Sequence, residues 1–395
     1  MKEIKDEGII SIEKYSKDPE LTRDMVQIAF KGALQKIDRN LEAFTDQFPD
    51  AASVHNVYLP VDNTDGWTQS FWTGMLWLAY EVTGDEKYRS VAEVHVKSFQ
   101  KRIDERLGTD THDLGFLYSL SCVSAYKLTG SEEAKNTALK AADHLIERYK
   151  EKGEFIQAWG DVNDPNNYRL IIDCYLNLPL LYWASEVTGN KTYYNIAYKH
   201  AVTAMDVCIR EDASTHHTFY FNPKTGEPIK GVTAQGYSDT SSWSRGQAWG
   251  IYGFPLSYKY TEDKQFIDVY KRVAHFYLNR LPEDYVPYWD LIFTYGDEER
   301  DSSAGSIAVC GFMEAVKWLD ENDPMKKIYI NASKSILKSL ILNYTTEKVP
   351  ESNGLLLHGV YSKPHHNGID ECNIWGDYYY LEALVRTLKD WELYW

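Results

Sequence analysis

Apolar residues along this chain fall into stretches of two kinds that alternate. One kind, such as SFWTGMLWLAY and SAGSIAVCGFMEAV, is apolar on nearly every side. The other, such as EEAKNTALKAADHLIERYK, repeats its apolar residues every three or four positions with polar ones between. A helix apolar all round is buried, and one with a polar face lies at the surface. The junctions share a mark: YEVTGDEKYR (80–89), YKLTGSEEAK (126–135) and SEVTGNKTYY (185–194) each break at Thr-Gly before a polar residue. Glycine there supplies a left-handed helix end, and the Asp, Ser or Asn beyond it caps the next helix. YKYTEDKQFI (258–267) and KWLDENDPMKK (317–327) do the same without the glycine.

Reading outward from these joints predicts helix pairs at 69–82 and 86–104, 114–128 and 131–149, and 171–188 and 191–210. Two more follow at 244–260 and 263–280 and at 302–319 and 325–343, with an initial helix near 20–45 and a last one near 376–390. Six buried and six outer helices in alternation describe two concentric rings, an all-α (α/α)6 barrel, with residues 1–395 forming a single domain. HTFYFNPKTGEPIKGVT, within the connection 211–243, reads as a β-hairpin around Lys-Thr-Gly, and 344–373 is another long connection. Connections of such length are usually functional.

Composition narrows the class. A formal charge of −16 argues against a nucleic-acid binder and against a polybasic membrane-surface protein. The five cysteines, Cys122, Cys174, Cys208, Cys310 and Cys372, are widely spread without a CxxC pair, so neither a zinc site nor a disulfide framework is implied. No apolar run is long enough for a signal peptide or a membrane span, and the expectation is a soluble, cytoplasmic protein. Aromatics make up 14% of the chain, with 30 Tyr and 12 Trp, enough to line a sugar-stacking pocket as well as a core.

The candidate chemistry lies where the buried helices begin. Their first turns read DNTDGWTQSFW, THDLGF, IIDCYLNLP, SSWSRGQAW, RDSSAGS and NIWGDYYY, each with an acid or a small residue, and often a Trp. If the inner helices run parallel, these turns gather at one mouth, where helix N-termini favour an anionic ligand. Ordinary N-capping explains any one of the acids about as well, but six together with Trp67, Trp243, Trp249 and Trp375 favour a pocket. Asp113 and Asp173 are the carboxylates most closely flanked by apolar residues, a setting that raises a carboxyl pKa and suits a general acid. An ion pair between Asp173 and Arg169 is the structural alternative, and Pro179 implies that Asp173 lies in a lead-in turn rather than inside a helix. The pairs His216-His217 and His365-His366 and the segment DVNDPNN have no metal-ligand spacing, and no phosphate loop, GxSxG or dinucleotide fingerprint occurs.

HDLGFLYS, IIDCYLNLPLLYWA, HTFYFNPKTG, SRGQAWGIYGF, RDSSAGSIA and IWGDYYYLEAL, in that order over nearly the whole chain, resemble the unsaturated glucuronyl hydrolases of glycoside hydrolase family 88. The resemblance implies an (α/α)6 barrel that removes a Δ4,5-unsaturated uronic acid from the non-reducing end of lyase-generated oligosaccharides, without metal or cofactor. It implies Asp173 as principal general acid/base and Asp113 as the assisting carboxylate. It places substrate contacts on Trp67, Trp159, His217, Gln235, Trp243, Arg245 and Trp249, with Arg245 a suitable partner for the uronate carboxylate. The chemistry is protonation of the enol ether at C4 and addition of water at C5, after which the hemiketal opens and the glycosidic bond is lost. Relatives that accept sulfated sugars carry a Ser- and Lys-containing stretch where this chain has YSKPHHNGID (361–370), an altered pattern that keeps Lys363 and points to unsulfated substrates. Three other readings stay open. An unsaturated rhamnogalacturonyl hydrolase would act on pectin fragments. A sugar epimerase of the same shape would rely on histidine pairs. A non-catalytic carbohydrate binder would be indifferent to Asp173→Asn.

Overall fold

At the joints the chain does what its residues demand. Gly84, Gly130 and Gly189 are each left-handed, with φ of 67°, 71° and 73°, where a side chain would be strained. Beyond them Asp85, Ser131 and Asn190 accept the backbone N–H of Lys87, Ala134 and Thr192 as N-caps. The joint threonines add a second lock: Thr83, Thr129, Thr188 and Thr261 donate back to a carbonyl four residues earlier and accept the N–H two residues later. Of the two joints without glycine, one has Glu262 in the left-handed conformation, with φ of 56°, and the other ends its helix on an extended Leu319 before Asp323 caps the next.

The computed structural model describes residues 3–395. Its helices are α1 (Arg23–Asn40), α2 (Gln69–Thr83), α3 (Glu86–Asp104), α4 (Leu114–Tyr118), α5 (Ser124–Thr129), α6 (Glu132–Glu147), α7 (Cys174–Asn177), α8 (Pro179–Thr188), α9 (Lys191–Cys208), α10 (Ser244–Thr261), α11 (Lys264–Leu278), α12 (Ser302–Trp318), α13 (Pro324–Ser339) and α14 (Ile374–Leu388). A wider π turn, Ser119–Val123, joins α4 to α5 as one inner rod. The inner ring closes: α2 packs on α4, α4 on α7 and α8, α7 on α10, α10 on α12, α12 on α14, and α14 on α2 again. Helices α3, α6, α9, α11 and α13 back their inner partners, and α1 backs α14. Glycines set how close neighbouring inner helices come, since a Cβ on Gly115 would lie 2.2 Å from Cα of Asn177.

Two departures from the sequence reading shape the site. The expected helix 171–188 begins only at Cys174, because Arg169–Ile171 is a strand, and it is interrupted before Pro179. That strand pairs antiparallel with Thr218–Phe221, which pairs in turn with Pro228–Val232, so the expected hairpin carries an unforeseen third strand. Arg169 is therefore not one helical turn before Asp173. The connection 344–373 also contains a hairpin, Gly359–Ser362 with Asn367–Glu371.

The far end of the barrel is filled by residues 389–395. Trp391, Leu393, Tyr394 and Trp395 are all buried. Glu81 of α2 accepts hydrogen bonds from Lys389, Trp391 and Tyr394, and Glu382 of α14 accepts one from Trp395. The Trp395 ring meets Phe116 at 6.0 Å, and Phe116 lies 5.4 Å from both Trp67 and Trp249.

Candidate active site

All six inner helices contribute their N-terminal ends to one mouth. Asp113, Asp173 and Trp243 occupy the capping positions of α4, α7 and α10. Trp67 precedes α2 and stacks on Trp375 of α14 at 5.1 Å, and Asp301 caps α12 while pairing with Arg245 of α10 at 3.1 Å. The cavity between them holds about 300 Å³, at the small end for ligand pockets. It is lined by Trp67, Asp113, Trp159, Asp173, His217, Gln235, Trp243, Arg245 and Trp249, while Trp375, also expected there, lies behind Trp67 and Arg245. His112, Ile171, Ala234, Tyr361, Ser362, His365 and Asn367 complete the wall.

The three-stranded sheet explains how distant residues meet. Ile172 N–H donates to the His217 carbonyl at 3.0 Å, which sets Asp173 and His217 beside each other. His112 N–H donates to Ala158, and Thr111 pairs across to Trp159, so the loop before α4 carries the half-exposed Trp159 ring to the mouth. The Arg169 guanidinium lies 3.5 Å from the centre of that ring and donates to Asn166 and Tyr220, so the Asp173–Arg169 ion pair is not formed.

Asp173 faces histidine instead. His112 Nε2 stands 3.3 Å from Asp173 Oδ1 and 3.4 Å from Asp113 Oδ1. Asp113 Oδ2 accepts from Thr111 Oγ1 at 2.7 Å, and Asn177 Nδ2 reaches Asp113 Oδ1 at 3.3 Å while its own Oδ1 accepts Phe116 N–H. Burial pushes the Asp113 carboxyl above its ordinary range; the His112 charge works against this and the Asp173 carboxylate adds to it. The donor atoms of His112, Asp113 and Asp173 lie within 4.8 Å of one another. The imidazole stands between the two acids.

His217 is buried, which lowers its pKa to about 4 and leaves a neutral ring. Its Nδ1 lies 2.6 Å from Thr218 Oγ1, leaving Nε2 as a hydrogen-bonding group without a protein partner. Arg245 differs from expectation. Its two terminal nitrogens donate to Asp301, the carbonyls of Val360 and Tyr361, and Gln235 Oε1, while the guanidinium is sandwiched by Trp243 and Trp375. With those donors engaged, Arg245 orders the wall, and Gln235, its oxygen turned to Arg245, keeps its amide N–H groups for a ligand.

His112 was legible only as the neighbour of an acid, because THDLGF was read for Asp113 alone. Tyr361, Ser362, His365 and Asn367 lie in the long connection 344–373, and the hairpin there brings them to the cavity wall, His365 and Asn367 at its exposed edge.

A ring of buried helices that presents paired carboxylates and indoles at one mouth has the make-up of a carbohydrate-active protein, and its relatives are hydrolases. The profile of Glycosyl Hydrolase Family 88 matches residues 36–393, and the chain belongs to that family. It is 51% identical to the unsaturated chondroitin disaccharide hydrolase of Streptococcus pneumoniae, with both chains covered completely. It is 45% identical to the unsaturated glucuronyl hydrolase of Bacillus sp. over 94% of this chain and 99% of that one. The crystal structure of unsaturated glucuronyl hydrolase from Streptococcus agalactiae superposes with a TM-score of 0.98 at 50% identity, covering both chains completely. A mutant of the Streptococcus agalactiae enzyme complexed with dGlcA-GalNAc6S superposes at 0.90 and 47%, again over the whole of both chains.

Proposed function

We propose that this protein removes the Δ4,5-unsaturated uronic acid from the non-reducing end of lyase-generated, glycosaminoglycan-type oligosaccharides by hydrating its enol ether. The observation that carries this reading is the contact between the two carboxylates and His112. Ordinary glycosidases place two carboxyl groups across the scissile bond, about 5–5.5 Å apart when retaining and 6.5–9.5 Å when inverting. Here the oxygens of Asp113 and Asp173 come within 4.8 Å, with an imidazole nitrogen close to both. Both acids share one imidazole neighbour. A single acid with a tuning partner is what protonation of a double bond requires.

In this reading the unsaturated ring enters the cavity against Trp67, Trp243 and Trp249, and Trp159 supports the next sugar at the mouth. His217 and Gln235 supply neutral hydrogen bonds to its polar groups. Asp173 gives a proton to C4, positive charge develops at C5 and the ring oxygen, and water adds at C5 as Asp173 takes back a proton. Asp113, held by Thr111 and Asn177, keeps the cluster's charge in check. Residues 1–395 act as one catalytic domain, consistent with the closure of α14 on α2. No helix of the described residues is long and apolar enough to cross a membrane, and the cytoplasmic location expected from sequence is part of this reading.

Turnover of unsaturated disaccharides in heavy-oxygen water tests the reaction. Label at C5 of the uronate, and one deuterium at C4 in deuterated water, is the expected result. Label at C1 means ordinary glycoside hydrolysis and refutes it. Including rhamnose-linked disaccharides in the panel identifies the neighbouring sugar.

A further inference from the structure

His112 has no part in the mechanism as written, yet it occupies its centre. Its side chain is buried, and neither ring nitrogen has a hydrogen-bond partner apart from the approach to the two carboxylates. The other charged or titratable groups facing it are Arg148 at the end of α6 and His200 on α9. Arg148 is engaged by the carbonyls of Gln157 and Gly160. His200 accepts the Ile156 N–H, and burial holds its pKa down at about 3, so it stays neutral. Burial by itself would strip the proton from His112 as well. The carboxylates of Asp113 and Asp173 more than reverse that and hold its proton above the ordinary imidazole range.

We propose that His112 stores the proton that Asp173 delivers to the substrate, passing it across their 3.3 Å contact when the anionic sugar enters. The proposal rests on the hydration reading above. In the free protein the imidazolium stands beside both acids. An incoming uronate adds a negative charge beside Asp173 and makes its ionised form more costly. The Nε2–H bond of His112 then breaks and an O–H bond forms on Asp173, leaving a neutral ring. That O–H proton moves to C4, whose π electrons form the new C–H bond. Water attacks C5, and the proton it releases returns to Asp173 and from there to His112. One water is consumed and the cluster ends with the protons it began with. His112 acts through Asp173 and is a positioning residue.

The test compares wild type with His112→Gln on an unsaturated disaccharide from about pH 5 to about pH 8, across the range where an imidazole titrates. At neutral pH kcat should fall about 10²-fold, the lower end for loss of acid–base assistance. The deficit should shrink as pH falls and solvent protonates Asp173 directly, with KM little changed. A deficit equal at every pH overturns the proposal. A second measurement needs no variant: with ring-nitrogen-labelled histidine in wild type, His112 should be charged in the free protein near neutral pH. It should become neutral on binding a saturated glucuronide that cannot be hydrated. A neutral ring in both states overturns the proposal. Failure of wild type to turn over any unsaturated disaccharide, by contrast, removes the hydration reading itself.

Discussion

At Asp173 the apolar neighbours Ile171, Ile172, Cys174 and Tyr175 seat the carboxylate against His112, with 18% of its side chain exposed. Asp173→Asn keeps the shape and removes the proton donor. It should fold normally and lose at least roughly 10²–10⁴-fold in kcat, the worth of general acid–base transfer. Asp113→Asn should retain more activity, and a steady-state assay with a melting curve for each variant checks both. Arg245 invites the opposite expectation. Cutting it to alanine strands Asp301, which is fully buried, and breaking a buried pair costs about 3–5 kcal/mol. The resemblance placed Arg245 among the substrate contacts. The structure makes folding the first casualty, so the melting temperature and kcat/KM should fall together.

At the scale of elements, the joints between paired helices are the most sequence-encoded feature, and Glu262 is the residue among them that takes the left-handed conformation without being glycine. A left-handed residue with a side chain costs about 1–2 kcal/mol, partly offset by the greater freedom of glycine in the unfolded chain. Glu262→Gly should therefore stabilise by about 0.5–1 kcal/mol, read as a higher midpoint in urea. Helix α14 offers a pH-dependent counterpart. Asp377 in its first turn accepts from Leu355 N–H, Leu356 N–H and Tyr58 OH, and burial raises its pKa to about 7 despite those bonds. Its folded pKa lies above the unfolded one, so its contribution to stability is full below about pH 4 and is lost as pH rises through about 7. Asp377→Asn should lack this loss. Melting curves of the two proteins between those pH values should show a steeper decline for wild type.

For the whole molecule, charge is the deciding property. A protein of net charge −16 that binds an anionic sugar must limit further negative charge on its ligand. Lys363, the cation kept in the altered late stretch, is held by Glu298 and Glu299 and lies over the Trp289 ring, so it is not free for a sulfate. At the cavity wall the same hairpin presents Ser362, His365 and Asn367 instead, with His365 Nδ1 2.7 Å from Ser362 Oγ. Unsulfated unsaturated disaccharides should accordingly show higher kcat/KM than their 6-sulfated twins, severalfold at low salt, with the gap narrowing as salt screens the charges. Equal or reversed values in a side-by-side assay would refute this.

The sequence by itself determined the alternation of buried and surface helices and their joints, because these follow from periodicity and from capping within a few residues, whereas the gathering of first turns needed the inner helices to run parallel. It also marked Asp113, Asp173 and the indoles, whose chemistry stands out locally. Tertiary structure decided which atoms face each other. The strand Arg169–Ile171 was hidden within an apolar run that reads equally as helix, and only its pairing with Thr218–Phe221 makes it a strand. That pairing sets Asp173 beside His217, while the loop ahead of α4 brings His112 between the two carboxylates. Arg245 sits at the mouth with four acceptors, from segments as distant as Gln235 and Tyr361, converging on its guanidinium. Hydrogen-bond satisfaction in a buried site depends on contacts across the fold, and no local pattern in the chain encodes them.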